Sequence, residues 1–226
     1  MKAMKFITCA LCAVLLLSGC DMSNKAKGGI IGGAGGALVG GLVGKLAGNT
    51  AVGAVVGTAV GAGAGVLIGN KMDKAKAEAE KVQNAQVESV TDNNGLKAVK
   101  VTFDSGILFA LNKADLNTTA QTSLAQFSNV LKNNPTMDIA IYGHTDNTGN
   151  DAINNPLSLK RAQSVVNYLS QCGVSYSQFK TVQGMGSTQP IASNETKAGQ
   201  AQNRRVEIYM YASEAMINAA NEGTLK

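Results

Sequence analysis

The chain has 226 residues, with 26 Gly, 3 Pro, no Trp and only 15% charged residues, against the ~25% of an ordinary globular domain. This balance excludes one uniform soluble domain and a disulfide scaffold, and the absence of a Gly-X-Y triplet period excludes a collagen-like chain. Setting Lys2 and Lys5 aside with a leader leaves 18 basic against 15 acidic residues, too small an excess for a nucleic-acid partner, which calls for a basic stripe.

Residues 1–19 read as a signal peptide. Lys2 and Lys5 start it, an apolar run from Phe6 to Leu17 follows, and small residues precede Cys20. The run is shorter than a membrane span and suits a signal-peptide core. Leu17-Ser18-Gly19-Cys20 resembles a bacterial lipobox, which implies cleavage before Cys20 and its lipidation; the plainer alternative is a secretory leader. Cys9 and Cys12 leave with the leader, so Cys172 has no thiol partner for an intramolecular disulfide. Each buried acyl CH₂ contributes about 0.8 kcal/mol to anchoring. Asp21 resembles an inner-membrane retention signal of enteric bacteria, so an inner-membrane destination stands beside the outer membrane.

Sixteen of the glycines lie between Gly28 and Gly69. They recur every four residues from Gly28 to Gly48, break at Asn49-Thr50 and resume from Gly53 to Gly69. Period four draws a stripe along one helical face. In water such a helix is poor, because each Gly costs ~1 kcal/mol relative to Ala. In a bilayer the same stripe lets helices approach closely, and each run has about the ~20 residues that cross the hydrocarbon core. The expectation for residues 20–70 is a lipid-anchored, transmembrane helical hairpin packed on its glycine faces, which also offers a route to a homo-oligomer. The alternative is a flexible Gly/Ala linker. Residues 71–97 are expected to be a charged linker, helical from Met72 to Val90, and Asp92-Asn93-Asn94-Gly95 a turn.

From residue 98 strand and helix patterns alternate. Strands are expected at Ala98–Phe103, Met137–Tyr142, Phe179–Met185 and Arg205–Tyr211, and helices at Leu116–Leu131 and Ser158–Gln171, the latter N-capped by Ser158 and stopped by Gly173. The fold class is α/β, with helices laid against one sheet. Residues 212–226 are expected to be a tail.

The polar residues between these elements carry the chemistry. Gly143-His144-Thr145-Asp146-Asn147-Thr148-Gly149 follows the second strand, and Asn154 precedes a helix expected to open with Lys160 and Arg161. Cations are unfavourable at the positive end of a helix, unless an anion docks there. A carboxylate can take two hydrogen bonds from Arg161. With Asp146 as a cation receptor nearby, the pair suits a zwitterionic amino acid end. An Asp146–Arg161 salt bridge with no ligand accounts for the same residues, and the residues alone leave the two readings open.

Five stretches in order decide more: Phe109-Ala110-Leu111-Asn112-Lys113, Tyr142-Gly143-His144-Thr145-Asp146, Leu157-Ser158-Leu159-Lys160-Arg161-Ala162, Gly184-Met185-Gly186 and Asn203-Arg204-Arg205-Val206-Glu207. With them, residues 98–211 resemble an OmpA-like peptidoglycan-binding domain. With the lipobox and glycine zipper, the whole chain resembles an outer-membrane lipoprotein of that family. The resemblance implies a β-α-β-α-β-β order and a non-catalytic tether that binds the diamino acid of peptidoglycan stem peptides, usually diaminopimelate. It implies that Asp146 holds the ammonium and Arg161 the carboxylate. Asn112, Thr145 and Asn154 then supply hydrogen bonds, Leu157 packs on the methylene chain and Arg204 closes the pocket. Ala110 stands where many members carry Asp.

No cofactor is expected. His144-x-Asp146 offers too few ligands for a metal, and Ser158 has no base. Arg205 reads as a surface residue or as paired with an acid. Two other functions remain as alternatives: a cell-wall hydrolase, disfavoured because glycosidases usually use two carboxylates, and an oligomeric membrane element for which the wall domain is only an anchor.

Overall fold

The computed structural model describes residues 60–110 and 112–225. Cys20, Asp21 and most of the glycine stripe lie outside these residues, and with them the expectations of lipidation, sorting, a hairpin and an oligomer. The described elements are α1 (Ala62–Ala79), β1 (Gln86–Thr91), β2 (Lys97–Asp104), α2 (Ser105–Leu108), α3 (Thr118–Asn133), β3 (Met137–Gly143), α4 (Asp151–Gln171), a 3-10 turn (Tyr176–Gln178), β4 (Phe179–Gly184), α5 (Lys197–Asn203), β5 (Arg205–Ala212) and α6 (Glu214–Asn221).

The strands form one mixed sheet in the order β1-β2-β5-β3-β4. Only β3 and β4 run parallel, joined through α4; the other pairs are antiparallel. Alternation sorts each strand into two faces. Val99, Val101, Phe103, Ile139, Ile141, Val206, Ile208 and Met210 face the helices and form the main core with Leu124, Phe127, Val165 and Leu169. Phe103 meets Phe127 edge to face at 5.9 Å, the geometry that ring quadrupoles favour. Ala98, Ala140, Tyr142, Tyr209 and Tyr211 gather on the other face. The α/β class and the one-sided helix layer are thus as expected. Side-chain caps start α3 (Asn117), α4 (Asn150), α5 (Thr196) and α6 (Ser213), each satisfying an amide that the first turn leaves without a partner.

Four features differ from the sequence reading. Helix α1 contains Gly63, Gly65 and Gly69 of the second glycine run, yet it packs on β2, α3 and α6. Ile68 and Met72 in it are fully buried in the main core. No helix among the described residues is long and apolar enough to cross a membrane. Residues 71–97 are accordingly no free linker. The helix ends at Ala79, and Gln86–Thr91, expected to be largely helical, is an edge strand paired in register with β2. The expected tail carries α6, whose Met216 and Ile217 are buried.

The fourth difference is in α4. It begins at Asp151 under an Asn150 cap, so Ser158 is no cap and Lys160 and Arg161 stand in its third turn, not its first. Pro156 lies inside this helix. Proline usually ends a helix by removing one N–H and crowding the carbonyl four residues back, which makes the true start hard to read. Asp151 in the first turn suits the helix dipole. Cations misplaced at a helix start therefore do not explain the site. Gly173 does stop the helix, with φ +92°.

Candidate functional site

The Asp146 loop leaves the end of β3, and three backbone hydrogen bonds set its path. His144 N–H donates to Arg205 O (2.9 Å), Thr145 N–H to Gly186 O (2.8 Å) and Met185 N–H to Gly143 O (2.8 Å). Helix α4 lies very close above it. A Cβ on Gly143 would stand 2.1 Å from Ser158 O, and one on Gly184 2.4 Å from Leu159 N. Ser158 Oγ donates to Asn155 O and accepts from Gly186 N–H at 3.0 Å. Its hydroxyl thus ties the helix to the Gly184-Met185-Gly186 turn.

Asp146 is buried and bonded from three sides. Oδ1 accepts from Thr148 N–H (2.8 Å), Oδ2 from Arg204 Nη1 (2.5 Å), and its carbonyl from Asn154 Nδ2 (3.4 Å). Burial opposes its ionisation, but the Arg204 guanidinium and the Thr148 amide outweigh this and hold its carboxyl below the usual range. Thr145 is buried and its Oγ1 has no hydrogen-bond partner among the described residues.

Arg161 is 4% exposed. Its Nε donates to Lys113 O (3.0 Å), and its guanidinium carbon lies 5.1 Å from the centre of the Phe109 ring, within cation–π range. Burial and the like charge of Arg204 push its pKa down, while Asp146 partly compensates. No ion pair joins Arg161 to a carboxylate among the described residues. Asp146 pairs with Arg204 instead, so the ligand-free Asp146–Arg161 salt bridge is absent.

The structure therefore brings Asp146, Asn154 and Arg204 into direct contact, with Arg161 near enough to feel both charges. Leu157, half-buried, precedes Arg161 by four residues and shares its side of α4. Asn112 is exposed in the loop before α3, with φ +55°, a left-handed conformation uncommon outside glycine. Its neighbour Lys113 offers the carbonyl that holds Arg161. Phe109, Thr148 and the Lys113 carbonyl escaped the sequence reading as site components. Only the placement of Phe109 and Lys113 in a matched motif hinted at the first and last.

Beneath the loop lies a buried charge cluster. Glu207 Oε1 accepts from Arg205 Nε (2.8 Å) and lies 3.1 Å from Lys100 Nζ. Oε2 accepts from Tyr209 OH (2.8 Å) and stands 3.6 Å from His144 Nε2. Arg205 is thus paired with an acid and is no surface residue. Burial pushes the His144 pKa down, and the facing Glu207 carboxylate offsets this only in part. Burial opposes the charge on Glu207, but His144, Arg205 and Lys100 hold its carboxyl well below the usual range.

The comparisons agree with this architecture. The OmpA family model matches residues 108–204, and a YMGG-like Gly-zipper model matches residues 1–73. The peptidoglycan-binding protein ArfA of Mycobacterium tuberculosis is 42% identical over 111 residues, 49% of this chain and 34% of ArfA. The outer-membrane lipoprotein YfiB of Pseudomonas aeruginosa is 34% identical over 108 residues, 48% of this chain and 64% of that protein. The Escherichia coli K12 protein YfiB is 34% identical over 143 residues, 63% of this chain and 88% of that protein. The chain thus spans about a third of the length of the mycobacterial relative and most of the enterobacterial one. Among solved structures, the cell wall anchor of the Pseudomonas aeruginosa type VI secretion system superposes with a TM-score of 0.52 at 28% identity, covering 63% of this chain and 97% of that one. The chain belongs to the OmpA family.

Proposed function

We propose that the protein is a non-catalytic lipoprotein that tethers the outer membrane to the cell wall by binding the diamino acid of peptidoglycan stem peptides. The observation that carries this reading is a buried cation without a carboxylate, Arg161, beside a buried carboxylate, Asp146. A stem-peptide residue of the diaminopimelate type ends in one ammonium and one carboxylate, and so complements both. Asp146 keeps lone pairs beyond its bonds to Thr148 and Arg204, since a carboxylate offers about four acceptor sites. Arg161 supplies a fork to the ligand carboxylate. Asn154 reaches the Asp146 carbonyl, the Thr145 hydroxyl has no hydrogen-bond partner among the described residues, the Asn112 loop carries the Lys113 carbonyl that holds Arg161, and Leu157 is the apolar neighbour for the methylene chain. ArfA's peptidoglycan binding and the cell wall anchor fold support the reading.

Acylated Cys20 is the membrane attachment in this proposal. Because residues 62–79 pack on the domain, the chain from Cys20 to Gly61 alone sets the reach between membrane and wall. The outer membrane is favoured over the inner by the outer-membrane relative.

The test is a titration of the full-length chain with stem tripeptides whose third residue is diaminopimelate, lysine or alanine. The diaminopimelate peptide is expected to bind most tightly. Asp146→Ala and Arg161→Ala should each weaken it at least tenfold, because each leaves a buried charge unpaired. Equal binding of all three peptides, or variants that bind like the parent, overturns the proposal. Release of soluble muropeptides from sacculi would move the reading to a hydrolase.

A further inference from the structure

The buried cluster under the loop poses a question of energetics. Taking Glu207, Arg205 and Lys100 out of water is costly, and a well-packed apolar replacement of a buried ion pair is often neutral or stabilising. Stability alone is thus a poor reason for the arrangement. What the cluster does instead is join three separate segments.

Arg205 uses every part of its fork. Nε donates to Glu207, Nη1 to Asn203 O (3.2 Å) and Nη2 to Gln189 O (3.2 Å). The two carbonyls belong to the ends of the segment between Gly186 and Arg204. Inside that segment the fully buried Asn203 side chain accepts from Ile191 and Ala192 N–H and donates to Ala192 O and Asn194 Oδ1. Asn194 Oδ1 in turn accepts from Asn147 N–H at 3.4 Å, the residue after Asp146. The Arg205 carbonyl holds His144 N–H, two residues before Asp146, while Glu207 faces the ring of the same His144. Arg204, which pairs with Asp146, is the chain neighbour of Arg205.

We infer that the Arg205–Glu207 pair is a positioning device for the wall-peptide site: it fixes the Asp146 loop against the base of Arg204, and so sets the separation of the groups that receive the ligand. This rests on the functional reading above. An apolar pair of similar volume would fill the space, but it would release Gln189 O, Asn203 O and the His144 ring. Neither residue touches the ligand; both act through Asp146 and Arg204.

The experiment uses the full-length chain and the diaminopimelate tripeptide. Glu207→Gln keeps size and the potential for hydrogen bonds but removes the charge; Arg205→Met/Glu207→Leu replaces the pair with apolar groups. Both are expected to weaken binding at least tenfold while far-UV dichroism stays native. In an Asp146→Ala background, Glu207→Gln should cause no further loss. His144 is the only histidine in the chain, so its ring ¹⁵N signals report directly. They should shift when peptide is added to the parent, and be displaced already in free Glu207→Gln. Parental binding by either folded variant overturns the inference, as does full additivity with Asp146→Ala or failure of both variants to fold. Loss of binding in Asp146→Ala with parental binding in Glu207→Gln overturns the positioning role alone. Parental binding in both overturns the functional reading together with this one.

Discussion

Gly143→Ala tests how closely α4 must approach the sheet for the site to exist. The new methyl carbon would stand 2.1 Å from Ser158 O and 2.9 Å from Ser158 C, both backbone atoms. Ordinary carbon contacts lie at about 3.5–4.0 Å, so the helix or the strand end must retreat by roughly 1 Å or more. Neither yields by a rotamer change. Gly143 is paired with Val206 in the sheet, and Ser158 is held to the Gly186 turn by its hydroxyl. Overpacking of well-packed interiors costs about 1–3 kcal/mol, and a backbone-on-backbone clash belongs at the upper end. At ~2–4 °C per kcal/mol for a domain of this size, a cost of about 3 kcal/mol lowers the melting temperature by roughly 6–12 °C. Peptide binding should fall with it, because the retreat separates Asn154 and Arg161 on the helix from Asp146 on the loop. The control is Gly69→Ala, where a Cβ meets nothing within 4 Å; on helix propensity it should stabilise by up to ~1 kcal/mol. Thermal unfolding by circular dichroism of the full-length chain reads both. A Gly143→Ala melting point within about 2 °C of the parent would refute the close-approach argument.

Two further predictions concern parts of the fold away from the site. Asp92 caps the turn between β1 and β2, with Oδ1 accepting from Asn94 and Leu96 N–H at 2.8 Å and Oδ2 buried without a partner. Burial raises its pKa from 3.8 to about 6 despite the two amides. The folded state therefore binds this proton more tightly than the unfolded chain. Its penalty is absent below pH 4, grows between pH 4 and 6 and is complete above. About two pH units correspond to roughly 3 kcal/mol. Asp92→Asn keeps the Oδ1 acceptor and loses the charge, so its stability advantage in urea unfolding should widen by about 2–3 kcal/mol from pH 4 to pH 7; a constant gap would contradict the assignment. Ile68→Ala removes a fully buried side chain of α1 and should cost about 2–5 kcal/mol, measured as a shift in the urea midpoint. Loss of less than about 0.5 kcal/mol, the range of ordinary surface changes, would show that α1 does not belong to the domain.

Much of the fold is legible in local sequence. The alternation of Val99, Val101 and Phe103, and of Ile139 and Ile141, marks strands because a strand's period of two is set by its own backbone. The spacing of Leu124, Phe127 and Leu131 marks α3 for the same kind of local reason. The motifs around Asp146, Arg161 and Arg204 are legible too, as short strings shared with a family. Tertiary structure alone decides what those residues face. Pairing inserts β5 between β2 and β3, which delivers Arg204 to Asp146 across 58 positions and leaves Arg161 to Phe109 and the Lys113 carbonyl. It turns Arg205 inward onto Glu207, where the sequence offers only two adjacent arginines. It recruits the end of the glycine run and the C-terminal residues as α1 and α6, which pack on each other, because burying Ile68, Met72, Met216 and Ile217 in the main core outweighs the poor helix propensity of glycine. No local pattern contains these outcomes, since each depends on a contact between segments that only the folded chain brings together.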